Sequence, residues 1–208
     1  MKVAIDARVV QDRFPGIGRY VFRLAEALPA AVPDITVVVL HNRNQSDTRF
    51  DLTGLGRSQA VRLRTVTGDL RSLQGQWSVR RALSQEEVDV YHATYWIGAY
   101  LPGVPTLLTL YDVIGLDPSG GLPTAKRLLL KALVRLALAR ADHVATLSSD
   151  SRRGLIAAGV SPTRITITPL AADPDLRPAS KAAVAALRER FALPRHYVLY
   201  VGTTKPHK

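Results

Sequence analysis

The sequence predicts an α/β fold: a Rossmann-like, doubly wound, mostly parallel sheet of about seven strands with helices on both faces. Three observations predict it. Short apolar runs of strand length alternate with stretches of helical periodicity from Val3 to Thr168. Most of those runs are nearly continuous in apolar residues, as expected of parallel strands covered on both faces. No internal repeat or low-complexity segment interrupts the alternation.

The first unit organises the rest. Val3 to Asp6 reads as a buried strand, Ala7 to Gly16 as a loop, and Ile17 onward as a helix carrying Ile17, Val21, Leu24, Ala25 and Leu28 at helical spacing. A strand, glycine loop and helix place backbone N–H groups at the carboxyl edge of a parallel sheet, where anions bind. Gly16 and Gly18 supply a Gly-x-Gly, but Val21 stands where a dinucleotide fingerprint has its third glycine. The loop also exceeds the usual length of about two to six residues, which favours direct contact with a ligand. A helix start that needs two permissive residues is the plainer reading.

Ile35 to Leu40 is the second strand, and the polar stretch Arg43 to Gln59 reads as a surface excursion. Val61 to Val66 alternates in polarity and marks a half-exposed edge strand. Leu73 to Glu87 is helical, with Trp77 and Leu83 expected in the core and Arg80 and Arg81 in solvent. Val88 to Tyr91, the fourth strand, delivers His92 to a segment holding Tyr95, Trp96 and Tyr100. Those aromatics suit either a sugar platform or a packed lid. His92 is either hydrogen-bonded in place or part of a site at the strand's carboxyl end.

Pro105 to Leu110 is the fifth strand, followed by Tyr111 and Asp112; the latter is a ligand-facing carboxylate or a cap for the loop from Val113 to Pro123. The helix Thr124 to Arg140 is strongly apolar and carries Arg127, Lys131 and Arg135 as one basic stripe. A membrane-surface helix has this pattern, and so does a buried helix with one solvated face; the wide apolar arc favours burial. His143 to Leu147 is the sixth strand, and Ser148 to Ser151 offers caps for a helix ending near Gly159. Arg164 to Thr168 is the seventh strand.

Composition bounds the function. The 208 residues are 47% hydrophobic and 22% charged, ordinary for a globular chain. Nothing in the sequence approaches the run of about eighteen apolar residues that spans a bilayer, and the given sequence opens on a strand-like run, so no signal segment is expected. A cytoplasmic protein, peripheral to the inner membrane face if bound there at all, is expected. The absence of cysteine excludes disulfides and thiolate metal sites. A net charge of +11 suits anionic partners, namely nucleotide phosphates, lipid phosphates, an anionic membrane surface or nucleic acid, although an Ala, Leu and Arg-rich composition of its own accounts for the larger share of it. No nucleic-acid-binding motif accompanies the charge, so nucleic acid is the weakest of these.

Pro169 to Pro178 reads as a linker, Ala179 to Leu193 as a helix, and Tyr197 to Val201 as a strand leading into Gly202 to Lys208. Residues 1–177 would form the first domain, and 178–208 an interdomain helix and the first strand of a second domain that is otherwise absent. An orphan strand of this kind is expected to dock, to be disordered, or to pair with a second copy in a homodimer through Tyr197 to Val201.

Several motifs in order carry a family resemblance: Ile5-Asp6-Ala7-Arg8, Gly16-Ile17-Gly18-Arg19-Tyr20, Tyr91-His92-Ala93, Tyr111-Asp112, Thr146-Leu147-Ser148 through Arg152, Ile167-Thr168-Pro169, and Tyr200-Val201-Gly202-Thr203. Together they resemble the family-4 retaining glycosyltransferases of GT-B fold, specifically the N-terminal acceptor-side domain and the opening of the C-terminal donor domain. The resemblance implies hexosyl transfer from a nucleotide-sugar donor to a glycan or glycolipid acceptor, as in polysaccharide biosynthesis, without metal or other cofactor. It assigns Gly16 and Gly18 to a loop closing on the donor diphosphate, and His92 and Asp112 to the sugar-facing side of the cleft. Lys208 matches the family's donor-phosphate lysine, with Lys205 a weaker match.

Two departures stand out. The chain has Tyr111-Asp112 where the family commonly has His-Asp, and it lacks the donor-binding Glu-x7-Glu segment. The 208-residue chain alone is therefore expected to transfer sugar poorly or not at all. A non-catalytic acceptor-binding module, or one subunit of a split enzyme, is the alternative.

Overall fold

The computed structural model describes residues 1–113, 124–173 and 176–202. It divides into two units, Met1–Pro169 and Leu170–Lys208. The first holds a seven-stranded, all-parallel sheet in the order β3-β2-β1-β4-β5-β6-β7. The strands are β1 (Lys2–Asp6), β2 (Thr36–Asn42), β3 (Val61–Val66), β4 (Val90–Ala93), β5 (Thr106–Leu110), β6 (His143–Thr146) and β7 (Ile165–Ile167). Between them run α1 (Pro15–Ala31), α2 (Leu52–Leu55), α3 (Leu73–Glu86), α4 (Thr124–Arg140) and α5 (Ser149–Ala157). This is a Rossmann-like, doubly wound α/β fold.

Handedness sorts the helices. Moving from β1 to β2 to β3 by right-handed crossovers puts α1 and α2 on one face; returning to β4 and onward puts α3, α4 and α5 on the other. Two apolar clusters mark the result. Val21 and Ala25 of α1 pack with Ile5, Val37 and Val39, while Val79, Leu83, Val134, Leu138 and Leu155 pack with Val38, Leu40, Leu108 and Val144. Alternate residues of β2 thus serve opposite faces, which is why its apolar run is unbroken.

Several sequence expectations shift. Helix α1 begins at Pro15, so Gly16 lies in its first turn and not in the preceding loop. β2 continues through His41 and Asn42, whose backbones pair with Thr65 and Val66 of β3. The polar excursion holds the short helix α2, whose Leu52 and Leu55 are buried. β4 starts two residues later than expected and includes His92, because its register is fixed by pairing Val3 with Val90 and Ile5 with His92. Leu83 is core, but Trp77 is 69% exposed, since the inward positions of α3 are taken by Val79, Ala82 and Leu83. α4 buries only Val134, Ala137 and Leu138, and leaves Leu128 and Leu129 in solvent, against the expectation of broad burial. The expected loop Val113 to Pro123 falls, apart from Val113, outside the described residues.

The second unit contains α6 (Lys181–Arg190), whose cap Ser180 accepts a hydrogen bond from the Ala183 N–H at 3.2 Å. Tyr197 to Val201 forms no strand and is exposed. A parallel strand exists only as part of a sheet ladder, and the ladder among the described residues ends at β7.

Candidate functional site

The strand order reverses between β1 and β4, so a crevice opens at their carboxyl ends. A buried charge cluster lies beneath it. Asp6, the last residue of β1, accepts hydrogen bonds from Arg8 Nε at 2.8 Å and Nη2 at 2.6 Å, and from the Tyr91 hydroxyl at 2.6 Å. Arg8 is 1% exposed and Asp6 3%. Burial opposes both charges, but the fork-to-carboxylate contact outweighs it: the Asp6 carboxyl is held below its usual range and the Arg8 guanidinium above its own. Burial first, and then the Asp6 charge, push the Tyr91 hydroxyl well up, so it stays a donor.

The cluster fixes the loops that form the crevice. Tyr91 Oη also accepts from the Ala99 N–H at 3.0 Å, and Thr94 Oγ1 donates to the Asp6 carbonyl. Gln76 of α3 donates to the Gly98 carbonyl at 2.9 Å and accepts from the Tyr100 N–H at 2.8 Å. The segment after β4 is thereby pinned from two sides. Arg8 Nη1 is buried and has no hydrogen-bond partner among the described residues.

Arg8 also lines a hollow of about 930 Å³ at the carboxyl ends of β2 and β3, together with Asn42, Thr65, Thr67, Asp69 and Gln74. The loops after β1 and β3, the ends of β2 and β3 and the first turn of α3 supply these groups, and each is a hydrogen-bonding side chain. Gln45 braces the hollow by donating to the carbonyls of Ala7 and Val10, at 3.2 and 2.8 Å.

On the other side of the switch point, His92 is 5% exposed and its Nε2 lies 2.7 Å from Thr109 Oγ1. Desolvation lowers its pKa to about 4, with the Asp6 charge opposing, so the ring is neutral near pH 7. Asp112 is exposed, two residues beyond the end of β5. Helix α1 reaches the same region: the rings of Tyr20 and Tyr111 meet edge-on at 5.6 Å, and Phe14 lies 5.5 Å from Tyr95. Tyr95 in turn stacks obliquely on Trp96 at 5.3 Å, so these aromatics pack on one another as a lid while staying half-buried.

No side chain caps the first turn of α1, and Pro15 occupies its start. Gly16 is exposed with open space where a Cβ would stand; at Gly18 a Cβ would come within 3.2 Å of the Phe50 ring. Gly18 is thus accounted for by close packing, and Gly16 is not. The fold brings Gly16, Gly18, His92 and Asp112 to one edge of the sheet. Lys205 and Lys208 lie outside the described residues. Ser148 caps α5 by accepting from the Ser151 N–H at 3.1 Å.

Sequence reasoning missed the roles of Asp6, Arg8 and Tyr91 as a buried cluster, and missed the polar hollow. Asp6 and Tyr91 stand 85 residues apart, so their contact has no local signal. An acidic and a basic residue closing a buried strand was the available sign.

Solved structures of similar fold include Anabaena Alr3699/HepE in complex with UDP and glucose, 18% identical, with a TM-score of 0.62 over 92% of this chain and 50% of that one. The S. aureus MnaA-UDP co-structure is 13% identical, with a TM-score of 0.53 over 80% of this chain and 43% of that one. Phytolacca americana apo UGT2 is 15% identical, with a TM-score of 0.52 over 90% and 55%. At these identities the likeness is one of fold, and the chain spans about half the length of each. No curated protein matches its sequence. The model of the glycosyl transferase 4-like domain, however, matches residues 15–171, from the first turn of α1 to just beyond β7. The chain belongs to the glycosyl transferase 4-like family.

Proposed function

We propose that this chain is the acceptor-side half of a retaining glycosyltransferase that moves a hexosyl group from a nucleotide-sugar donor to a glycan or glycolipid acceptor. The observation that carries the reading is the polar hollow beside the switch point, lined by Arg8, Asn42, Thr65, Thr67, Asp69 and Gln74. Such side chains offer both donors and acceptors to a hydroxyl-rich ligand. Arg8 Nη1 is a buried donor without a partner among the described residues, which an acceptor oxygen would satisfy.

In this reading the first turn of α1, which carries Gly16 and Gly18, meets the donor diphosphate through the N–H groups at its start and the positive end of the helix, while Gly18 serves by close packing, its own N–H donating to the Phe14 carbonyl at 2.8 Å. Lys205 and Lys208 are assigned to donor phosphate as well. His92, neutral and held by Thr109, orients the sugar by hydrogen bonding, and Asp112 approaches it from the end of β5. Transfer is metal-independent, with the leaving phosphate assisting the incoming hydroxyl on one face of the sugar. The rate then depends on positioning and on stabilising the departing charge. Residues 178–208 open the donor domain, so the 208-residue chain alone transfers little.

The test is transfer of labelled hexose from nucleotide sugars, using chain 1–208 alone and joined to a nucleotide-sugar-binding donor domain. Transfer only by the joined protein, with the donor's anomeric configuration kept in the product by NMR, is expected. Inverted product would refute retention. Equal transfer by 1–208 would refute the half-site. Acceptor binding without transfer from any donor would make the chain a binding module.

A further inference from the structure

We propose that the outward face of the helical layer formed by α3 and α4 docks this protein on the surface of an anionic lipid bilayer. The proposal does not rest on the glycosyl-transfer reading. Both helices cover the same face of the sheet, since Val79, Ala82 and Leu83 of α3 and Val134, Ala137 and Leu138 of α4 enter one core. The 3.6-residue repeat then turns the opposite sides of both helices away from the sheet. Those sides are not polar. α3 presents Leu73 and Trp77, the latter 69% exposed, and α4 presents Leu128 and Leu129, 61% and 60% exposed, with Ala132 and Leu136 along the same stripe.

Charge identifies the occupant. α4 contains Lys126, Arg127, Lys131, Arg135 and Arg140 and no acidic residue, and α3 adds the exposed Arg80 and Arg81. On α4 the apolar stripe has cations and no acid beside it, the pattern of a helix lying in a membrane interface, whereas lysine is depleted from protein–protein interfaces. Exposed tryptophan beside arginine fits the same boundary. No helix among the described residues is long and apolar enough to cross a membrane, so the contact is with the surface.

Placement adds a consequence. α3 and α4 start from the carboxyl ends of β3 and β5, so Leu73, Trp77, Leu128 and Leu129 lie in the halves of the helices nearest the crevice and the polar hollow. Docking by this face holds that edge near the bilayer, within reach of a ligand carried by a lipid.

The experiment is co-sedimentation of chain 1–208 with vesicles of phosphatidylcholine, with and without phosphatidylglycerol. Binding that requires phosphatidylglycerol and weakens with salt is expected. L128Q/L129Q, both at exposed positions, should lower the partition coefficient by about tenfold or more at an unchanged unfolding midpoint. K131E/R135E should lower it through charge alone. In a W96F chain, brominated lipid should quench Trp77. Equal partitioning of wild type and L128Q/L129Q would overturn the proposal, as would equal binding to both kinds of vesicle or to neither. A concentration-dependent dimer lost in L128Q/L129Q without vesicles would assign the face to a second copy and also overturn it.

Discussion

The Tyr91 hydroxyl donates to Asp6 Oδ2 across 2.6 Å at the point where the sheet reverses its strand order, and the same oxygen of Tyr91 accepts from the Ala99 N–H. One side chain therefore joins the end of β1 to the loop after β4. Arg8 completes the arrangement with two bonds to the Asp6 carboxylate.

Breaking this cluster has graded consequences. Tyr91→Phe removes one donor and leaves the Ala99 N–H without its acceptor, which should cost about 1–3 kcal/mol. Asp6→Ala leaves the Arg8 guanidinium buried without its counter-charge and should cost about 3–5 kcal/mol. Urea unfolding of the two variants beside the wild type checks both the values and their order. Equal, small losses would mean that the cluster is solvated.

His92 makes stability depend on pH. Its pKa falls from 6.5 to about 4 on folding because burial penalises the cation, so the folded state holds the neutral ring. The unfolded chain binds the proton first as pH drops, so this contribution is complete above about pH 6.5 and is lost as pH falls toward 4. The loss amounts to about 3 kcal/mol over that window. Denaturant midpoints across the range should show it, and His92→Gln should flatten that part of the profile. Asp6, whose carboxyl is held low, adds a second loss at still lower pH, as protonation ends its pairing with Arg8.

The fold was legible where one rule sufficed. β1, β5 and α4 follow from apolar continuity and periodicity, and α4 runs over the expected Thr124–Arg140. β4 was displaced because pairing with β1, a long-range relation, fixes its start. The site was less legible, because its parts come from distant segments. The hollow needs Arg8, Asn42, Thr65 and Gln74 together, and the packing that requires Gly18 involves Phe50. Trp77 shows the opposite failure: hydrophobicity alone placed it inside, while the helical phase set by Val79 and Leu83 turns it out.

Trp77 and Leu83 should accordingly respond in opposite ways to truncation. Leu83→Ala opens a cavity in the core and should cost about 2–5 kcal/mol. Trp77→Ala, at an exposed position, should stay within about 0.5 kcal/mol of wild type. Thermal or urea unfolding of the pair decides it. A large loss at Trp77 would mean that its ring packs on the protein instead of facing outward.

Gly16 and Gly18, two residues apart in the first turn of α1, should separate structure from function. A Cβ at Gly18 meets the Phe50 ring at 3.2 Å, a crowding that offsets the gain of alanine in a helix, so Gly18→Ala should be less stable than Gly16→Ala by about 1 kcal/mol. A Cβ at Gly16 meets nothing within 4 Å, and alanine is the better helix former, so Gly16→Ala should be neutral or stabilise by up to about 1 kcal/mol. If the first turn of α1 approaches a diphosphate, the added methyl at Gly16 obstructs it. Gly16→Ala in a chain joined to a donor domain should then raise the KM for nucleotide sugar at unchanged or higher stability. A stable Gly16→Ala enzyme with wild-type kinetics would remove this turn from the donor site, and Gly18 would be left with its packing role alone.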